Sequence, residues 1–278
     1  MKKYMIRCDI EGVTGVVSLA QAVPGESEYA FGKQMFMSDL AALVEGLNRG
    51  GADEIWIYDE HCDGRNIDLS AMPKNVTAIC GKPPYRADWS GGLDRTFDGL
   101  LLLGFHSKWG TPGGLLPHSY EPDICDIQLN GVSVGEIGME AAIAGDHDVP
   151  LLLIVGDSAG VAEAERLIPG IAGVSVKTSI TEHGGGCFST AKTSAMIHGA
   201  AWGIVKKAPA VKPYRITGGV RCEISLLEGS YRTAFAKLHR PAMTDERTVV
   251  INGKTATDVW ARYWQMKLAA QAEAAQAK

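Results

Sequence analysis

The chain has 278 residues, 46% of them hydrophobic and 21% charged, which is enough for one large core or two modest ones and excludes a disordered polypeptide. A formal net charge of -5, with no run of Lys or Arg longer than two, gives no long-range attraction for phosphate backbones or anionic lipid, so neither nucleic acid nor a membrane surface is expected as a partner. Residues 1–12 hold only a short apolar run before Arg7 and Asp9, and no 18-residue apolar stretch follows; without a signal peptide or a spanning helix, a cytoplasmic location is expected.

In chain order, short apolar runs rich in β-branched residues predict buried strands at 5–8, 54–58, 76–80, 100–105, 151–155 and 174–176. The clearest helix lies between the first two, at 29–47. There Phe36, Leu40, Leu43, Val44 and Leu47 recur at three- and four-residue spacing until Gly50-Gly51 stops the pattern. Further helices are expected at 137–144, 159–167 and 190–206. Strands alternating with helices imply an α/β fold, a mainly parallel sheet covered by helices.

Segment 127–134, with Asn130-Gly131 at its centre, predicts an antiparallel hairpin inserted close to Glu136, because a type I′ turn needs positive φ at both central residues. After the stiff connector from Pro209 to Pro213, segments 214–227 and 248–251 read as strands of a smaller C-terminal α+β subdomain. Residues 257–278 read as a terminal helix. The expected organisation is a catalytic domain at 1–208 and a subdomain at 209–278. Six cysteines, at 8, 62, 80, 125, 187 and 222, contain no C-x-x-C pair, so reduced and mostly buried thiols are expected rather than a zinc knot or a disulfide framework.

The chemistry gathers at strand ends. The first strand closes in Cys8-Asp9-Ile10-Glu11-Gly12, where alternation along an extended chain points Asp9 and Glu11 to one side. Two carboxylates there repel unless a cation joins them. The second strand ends in Asp59-Glu60-His61, and the fourth runs through four leucines, Gly104 and Phe105 into His106. In open α/β sheets that carboxyl edge is where ligands bind, so residues dozens of positions apart can converge there.

Glu136, in Val134-Gly135-Glu136-Ile137-Gly138, could close the set. Hard oxygen ligands with two imidazoles suit zinc, with manganese or cobalt as competitors, and five ligands including several carboxylates fit two metals better than one. Asp9 is the candidate bridge. The Gly- and Pro-rich loop after His106 returns His118, a candidate for stabilising an oxyanion or protonating a leaving amine. His147, His183, His198 and His239 lack such a strand-end context and are expected in surface or core roles. The reading is a metal-dependent hydrolase of small peptides or amides. A protein that binds metal or a small molecule without turnover is the alternative outside catalysis.

Taken in order, these motifs resemble the zinc D-aminopeptidases encoded in bacterial dipeptide-transport operons. The resemblance runs from residue 3 to about 200. It is carried by Asp9-Ile10-Glu11-Gly12, Asp59-x-His61, Gly81 with Gly92-Leu93-Asp94, Gly104-Phe105-His106, Thr111-Pro112-Gly113, His118-Ser119, Asn130-Gly131 and Val134-Gly135-Glu136-x-Gly138. It implies two zinc ions on Asp9, Glu11, His61, His106 and Glu136, with His118 as the catalytic histidine. It also implies removal of N-terminal D-residues such as D-Ala from short peptides, and a ring-shaped homodecamer enclosing the sites. The sequence departs from the family's pattern at Cys8 and Glu60, each in place of a serine, and in a loop between His106 and His118 that is one residue longer.

A competing signal is Gly156-Asp157-Ser158-Ala159-Gly160, which fits the G-x-S-x-G nucleophile elbow, with His183-Gly184-Gly185-Gly186 resembling an esterase oxyanion loop. The glycine loop follows the serine here, the reverse of the serine esterase order. No Asp lies between Asp157 and Asp245, and no His follows His239, so the acid would have to be a residue such as Glu223 or Glu228. Ser158 is instead expected to cap a helix, and Gly184 to Gly186 to form a flexible loop.

Overall fold

The computed structural model describes residues 1–207 and 209–276. Position 208, where the domain boundary was expected, and the last two residues of the expected terminal helix lie outside the described residues. The central sheet holds β1 (Lys3–Cys8), β2 (Glu54–Asp59), β3 (Val76–Ile79), β4 (Gly99–Phe105), β7 (Leu151–Asp157), β8 (Ala172–Thr181) and β9 (Gly184–Cys187), in the order β3-β2-β1-β4-β7-β8-β9. All neighbours run parallel except β8 and β9. Every residue of β4 and β7 is buried, which is why these strands read as unbroken apolar runs rather than alternating ones.

Helix α1 (Leu19–Ala22) leads into α2 (Tyr29–Gly50), which lies along α5 (Thr190–Lys207). The contact is close: a side chain at Gly46 would meet the His198 carbonyl at 2.4 Å. Helices α3 (Glu136–Asp146) and α4 (Ser158–Leu167) complete the α/β unit. Among the described residues no helix is long and apolar enough to cross a membrane.

The expected hairpin is β5 (Ile124–Leu129) and β6 (Val132–Val134), joined by Asn130 at φ 50° and Gly131 at φ 81°. It does not stand alone. β5 pairs with β10 (Val220–Leu226), which pairs with β11 (Thr248–Gly253), giving an antiparallel sheet β11-β10-β5-β6. Helices α6 (Ser230–His239) and α7 (Ala256–Gln276) pack together, and α7 lies on β10 and β11 and touches α3. Residues 209–276 therefore build one sheet with a hairpin from the middle of the chain.

Four local expectations change. The strand expected over 214–227 is confined to 220–226, because Gly218 and Gly219 adopt positive φ and break the extended run. Gly184 to Gly186 form the edge strand β9 rather than a flexible loop, held by pairing with β8 that needs no side chains. Helix α4 is capped by Asp157, whose carboxylate accepts from the Ala159 and Gly160 amides; Ser158 is its first residue. All six cysteines are free, but only Cys8, Cys125 and Cys222 are buried.

Candidate metal centre

Beyond Cys8 the chain keeps to the side of β4, with the Asp9 amide donating to the Leu103 carbonyl at 2.8 Å and the Gly12 amide to the Gly104 carbonyl at 2.7 Å. Gly104 permits this. Its φ is +78°, and a side chain there would meet the Asp9 carbonyl at 2.0 Å. On the other side the Glu60 amide donates to the Cys8 carbonyl at 3.0 Å, which brings the end of β2 level with the end of β1. Asp9, Glu11, His61 and His106 thus meet at one sheet edge, and all four are buried.

The arrangement centres on Asp9. Its Oδ1 lies 2.8 Å from His61 Nδ1, and its Oδ2 lies 3.4 Å from His106 Nε2. Glu11 Oε2 is 3.2 Å from His61 Nδ1. Glu136, the first residue of α3, places Oε1 3.6 Å from His106 Nε2 and 3.9 Å from His118 Nε2. Donor atoms of Asp9, Glu11 and His61 lie within 4.8 Å of one another, and so do those of His106, His118 and Glu136. The structure therefore gathers all six residues singled out from the sequence. None of the other four histidines joins either group among the described residues.

Each imidazole is oriented from behind. His61 Nε2 donates to the Ala22 carbonyl at 2.9 Å, His106 Nδ1 to the Ser107 carbonyl at 3.0 Å and His118 Nδ1 to the Leu116 carbonyl at 3.0 Å. A carbonyl only accepts, so in the neutral ring the inward nitrogen is a bare lone pair aimed at carboxylates. Lone pairs facing carboxylates repel unless protons or cations lie between them. Burial pushes His61 down, but the Glu11 charge and the bond to Asp9 outweigh it and hold the imidazole well above its usual pKa. His106 is raised in the same way, burial being outweighed by Glu136 and Asp9. Burial lifts Asp9, yet His106 and His61 bring it well below the carboxylate range. Glu11 Oε2 and His106 Nε2 are buried and accept no hydrogen bond. Orphaned buried donors of this kind, in a set of imidazoles and carboxylates, fit divalent metal ions.

Sequence reasoning missed the supports. Lys177, in β8 and fully buried, donates through Nζ to the carbonyls of Glu11 at 2.5 Å, Val13 at 2.9 Å and Val16, clamping the loop that carries Glu11. The Tyr120 amide donates to Glu136 Oε1 at 2.6 Å, and its hydroxyl donates to Glu140 Oε1 at 2.7 Å. Glu140 pairs with the buried Arg7, which also donates to the Tyr85 hydroxyl at 2.9 Å. A lysine directly after the apolar run from Val174 to Val176 was the one available signal for Lys177. Nothing in the sequence pointed to the Arg7 network, in which Arg7 reaches Tyr85 and Glu140, 78 and 133 positions away.

The centre floors a pocket of about 810 Å³. Of the three imidazoles in the centre, His118 is the most accessible, with 27% of the side chain exposed against 5% or less for His61 and His106. Glu60, Lys82, Glu121, Trp264 and Lys267 line the walls. The esterase constellation does not assemble: Ser158 Oγ accepts from the Ser179 amide at 2.9 Å, while His183 is exposed and pairs with Glu182 at 3.2 Å.

A sequence model of the M55 peptidases, described as D-aminopeptidase, matches residues 1–264. The chain belongs to this D-aminopeptidase family. It is accordingly an enzyme, a hydrolase of peptide bonds, and the esterase and binding-protein alternatives fall away. A D-aminopeptidase of Bacillus subtilis (strain 168) is 30% identical over 215 residues, 77% of each chain. The fold agrees with a solved structure described as the Zn-dependent D-aminopeptidase DppA from Bacillus subtilis, a self-compartmentalizing protease. The TM-score is 0.88 at 26% identity, covering 99% of this chain and 98% of that one.

Proposed function

We propose that this chain is a di-zinc aminopeptidase that removes N-terminal D-residues such as D-Ala from short peptides or amides. One observation carries the reading: the two oxygens of Asp9 face two different imidazoles, each within a separate ligand group. Asp9, Glu11 and His61 would hold one ion, and Asp9, His106 and Glu136 the other, with manganese or cobalt as possible replacements for zinc. Bound there, the ions would supply Lewis-acid polarisation of the scissile carbonyl and would lower the pKa of a water toward neutrality.

The side chains do the positioning. Asp9 is fixed between His61 and His106, and the Tyr120 amide holds the Glu136 carboxylate. His118, its Nδ1 tied to the Leu116 carbonyl, presents Nε2 toward the pocket. That nitrogen would donate to a developing oxyanion or to the leaving amine in the imidazolium form, since Nδ1 already holds the neutral ring's one proton against Leu116. Residues 1–208 are read as the catalytic domain and 209–278 as a subdomain that walls the pocket through α7. The cytoplasm and a ring-shaped homodecamer complete the proposal; the self-compartmentalizing relative supports the ring.

The test is chelation. EDTA should abolish hydrolysis of D-Ala-containing dipeptides and amides, and a serine-directed phosphonate should leave it intact. The opposite pattern would sink the metal reading. His118→Ala should keep its metal and lose most turnover; loss of the metal itself would show that His118 is a ligand. Sedimentation of the native protein tests the ring.

A further inference from the structure

Two lysines stand in the pocket wall away from the metal centre. Lys82 comes from the segment between β3 and β4, and Lys267 from α7. Both ammonium groups sit over the ring of Trp264, at 6.0 Å and 4.0 Å from its centroid, and all three residues line the same pocket as Asp9, His61, His118 and Glu136.

Their charges are only partly met. Lys267 pairs with Glu121, whereas Lys82 donates to the neutral carbonyl of Glu60. The nearby Glu60 carboxylate accepts from the Tyr85 hydroxyl at 3.0 Å and lies 3.5 Å from Arg7. Among the described residues Lys267 thus has one carboxylate at ion-pair distance and Lys82 none, and both ammonium groups lie beside an indole face that favours cations. Only 5% of Lys267 is exposed. Burial lowers its pKa, Glu121 opposes this, and the charge of Lys82 lowers it further. An added anion would relieve that repulsion.

The geometry points to Lys82 and Lys267 as the subsite that receives the free C-terminal carboxylate of a short peptide, making the enzyme selective for free acids over amides. This rests on the aminopeptidase reading above. The reach is right for small substrates. Glu121, the partner of Lys267, follows His118 by three residues, so their backbones are at most about 11 Å apart, the span of roughly three extended residues. A pocket of about 810 Å³ also falls in the range of small-ligand sites, roughly 300–1,000 Å³. Ammonium groups there form an ion pair with a carboxylate but only a hydrogen bond to the neutral carbonyl of a carboxamide.

The experiment compares D-alanyl-D-alanine with its C-terminal amide on the metal-loaded full chain, for the wild type, Lys82→Met, Lys267→Met and Lys267→Arg. The wild type should favour the acid in kcat/KM by about tenfold or more. Both Met variants should shrink that ratio, chiefly through KM for the acid, and Lys267→Arg should restore part of it. Lys267→Met strips Glu121 of its partner, so the half-buried Lys82→Met decides if Lys267→Met does not fold. A wild-type ratio near one, or a ratio unchanged in Lys82→Met, overturns the subsite. If the wild type hydrolyses neither compound, the aminopeptidase reading fails instead, and calorimetry with the same two compounds then decides the subsite. Tighter binding of the acid that Lys82→Met abolishes supports it; equal affinity overturns it.

Discussion

Replacing Lys177 by Met removes the ammonium that clamps the loop carrying Glu11 while keeping much of the side-chain volume. Three buried carbonyls, of Glu11, Val13 and Val16, lose their donor. At about 1–3 kcal/mol for each unsatisfied acceptor, the loss is roughly 3–9 kcal/mol. Against it stands the cost of burying the charge: burial takes the Lys177 pKa from 10.5 to about 8, or about 3 kcal/mol at 1.36 kcal/mol per unit. The net expectation near pH 7 is a destabilisation of roughly 3 kcal/mol, within a range of about 0–6. The sign with pH follows from linkage. Between about 8 and 10.5 the unfolded chain holds a proton that the folded chain has released, so stability rises with pH across that window. From pH 8 to 9.5 the wild type should gain on the order of 2 kcal/mol relative to Lys177→Met. Urea unfolding with EDTA at fixed protein concentration, followed by tryptophan fluorescence, measures both quantities. A variant as stable as the wild type at pH 7, with the same slope above pH 8, would refute the clamp.

Asp9→Asn should release at least one of the two proposed ions while the protein stays folded, measured as metal per chain after gel filtration; full retention would refute the bridging role. Asp39, whose carboxylate accepts from the Thr14 amide and hydroxyl, is raised by burial from 3.8 to about 6. The proton it keeps when folded stabilises the protein below about 3.8, and that contribution is lost as pH rises through about 6, a change of roughly 3 kcal/mol. A pH series of urea midpoints should show Asp39→Asn without that decline. Glu140→Ala leaves the buried Arg7 guanidinium with only the Glu60 carboxylate, 3.5 Å away, and should cost up to about 3–5 kcal/mol by the same unfolding assay.

What could be read from sequence was whatever depends on local pattern. Asp9, Glu11, His61 and His106 each follow an apolar strand directly, so the strand's own direction announces the edge at which they emerge. Asn130-Gly131 made the β5–β6 hairpin legible for the same reason. Partners set by tertiary packing left no trace. The pairing of Cys222 with Leu129 joins the C-terminal segment to the hairpin across more than ninety positions, and no periodicity encodes it. Helix α6 did carry a signal in Tyr231, Ala234 and Phe235, buried at helical spacing, but the run is short and its flanks read as loop. The tripled glycine of β9 pairs through backbone alone, which leaves no side-chain pattern to detect.

That division by element has a chemical consequence. The candidate ligands occupy residues 9–136 and are positioned by β1, β2, β4 and α3, rigid elements locked by Gly104, Lys177 and the Tyr120 amide. The far wall of the pocket comes from α7, whose Trp264, Lys267 and Leu268 reach it only because α7 docks on β10, β11 and α3. The two parts of the chain meet at α3, which carries Glu136 and packs against α7. Substitutions on the pocket face of α7, away from α3, should change which peptide enters without moving a candidate ligand. Substitutions at the strand ends cannot alter selectivity without also disturbing the charge balance around Asp9, because its ligand atom lies within 4.8 Å of those of Glu11 and His61 and its other oxygen 3.4 Å from His106.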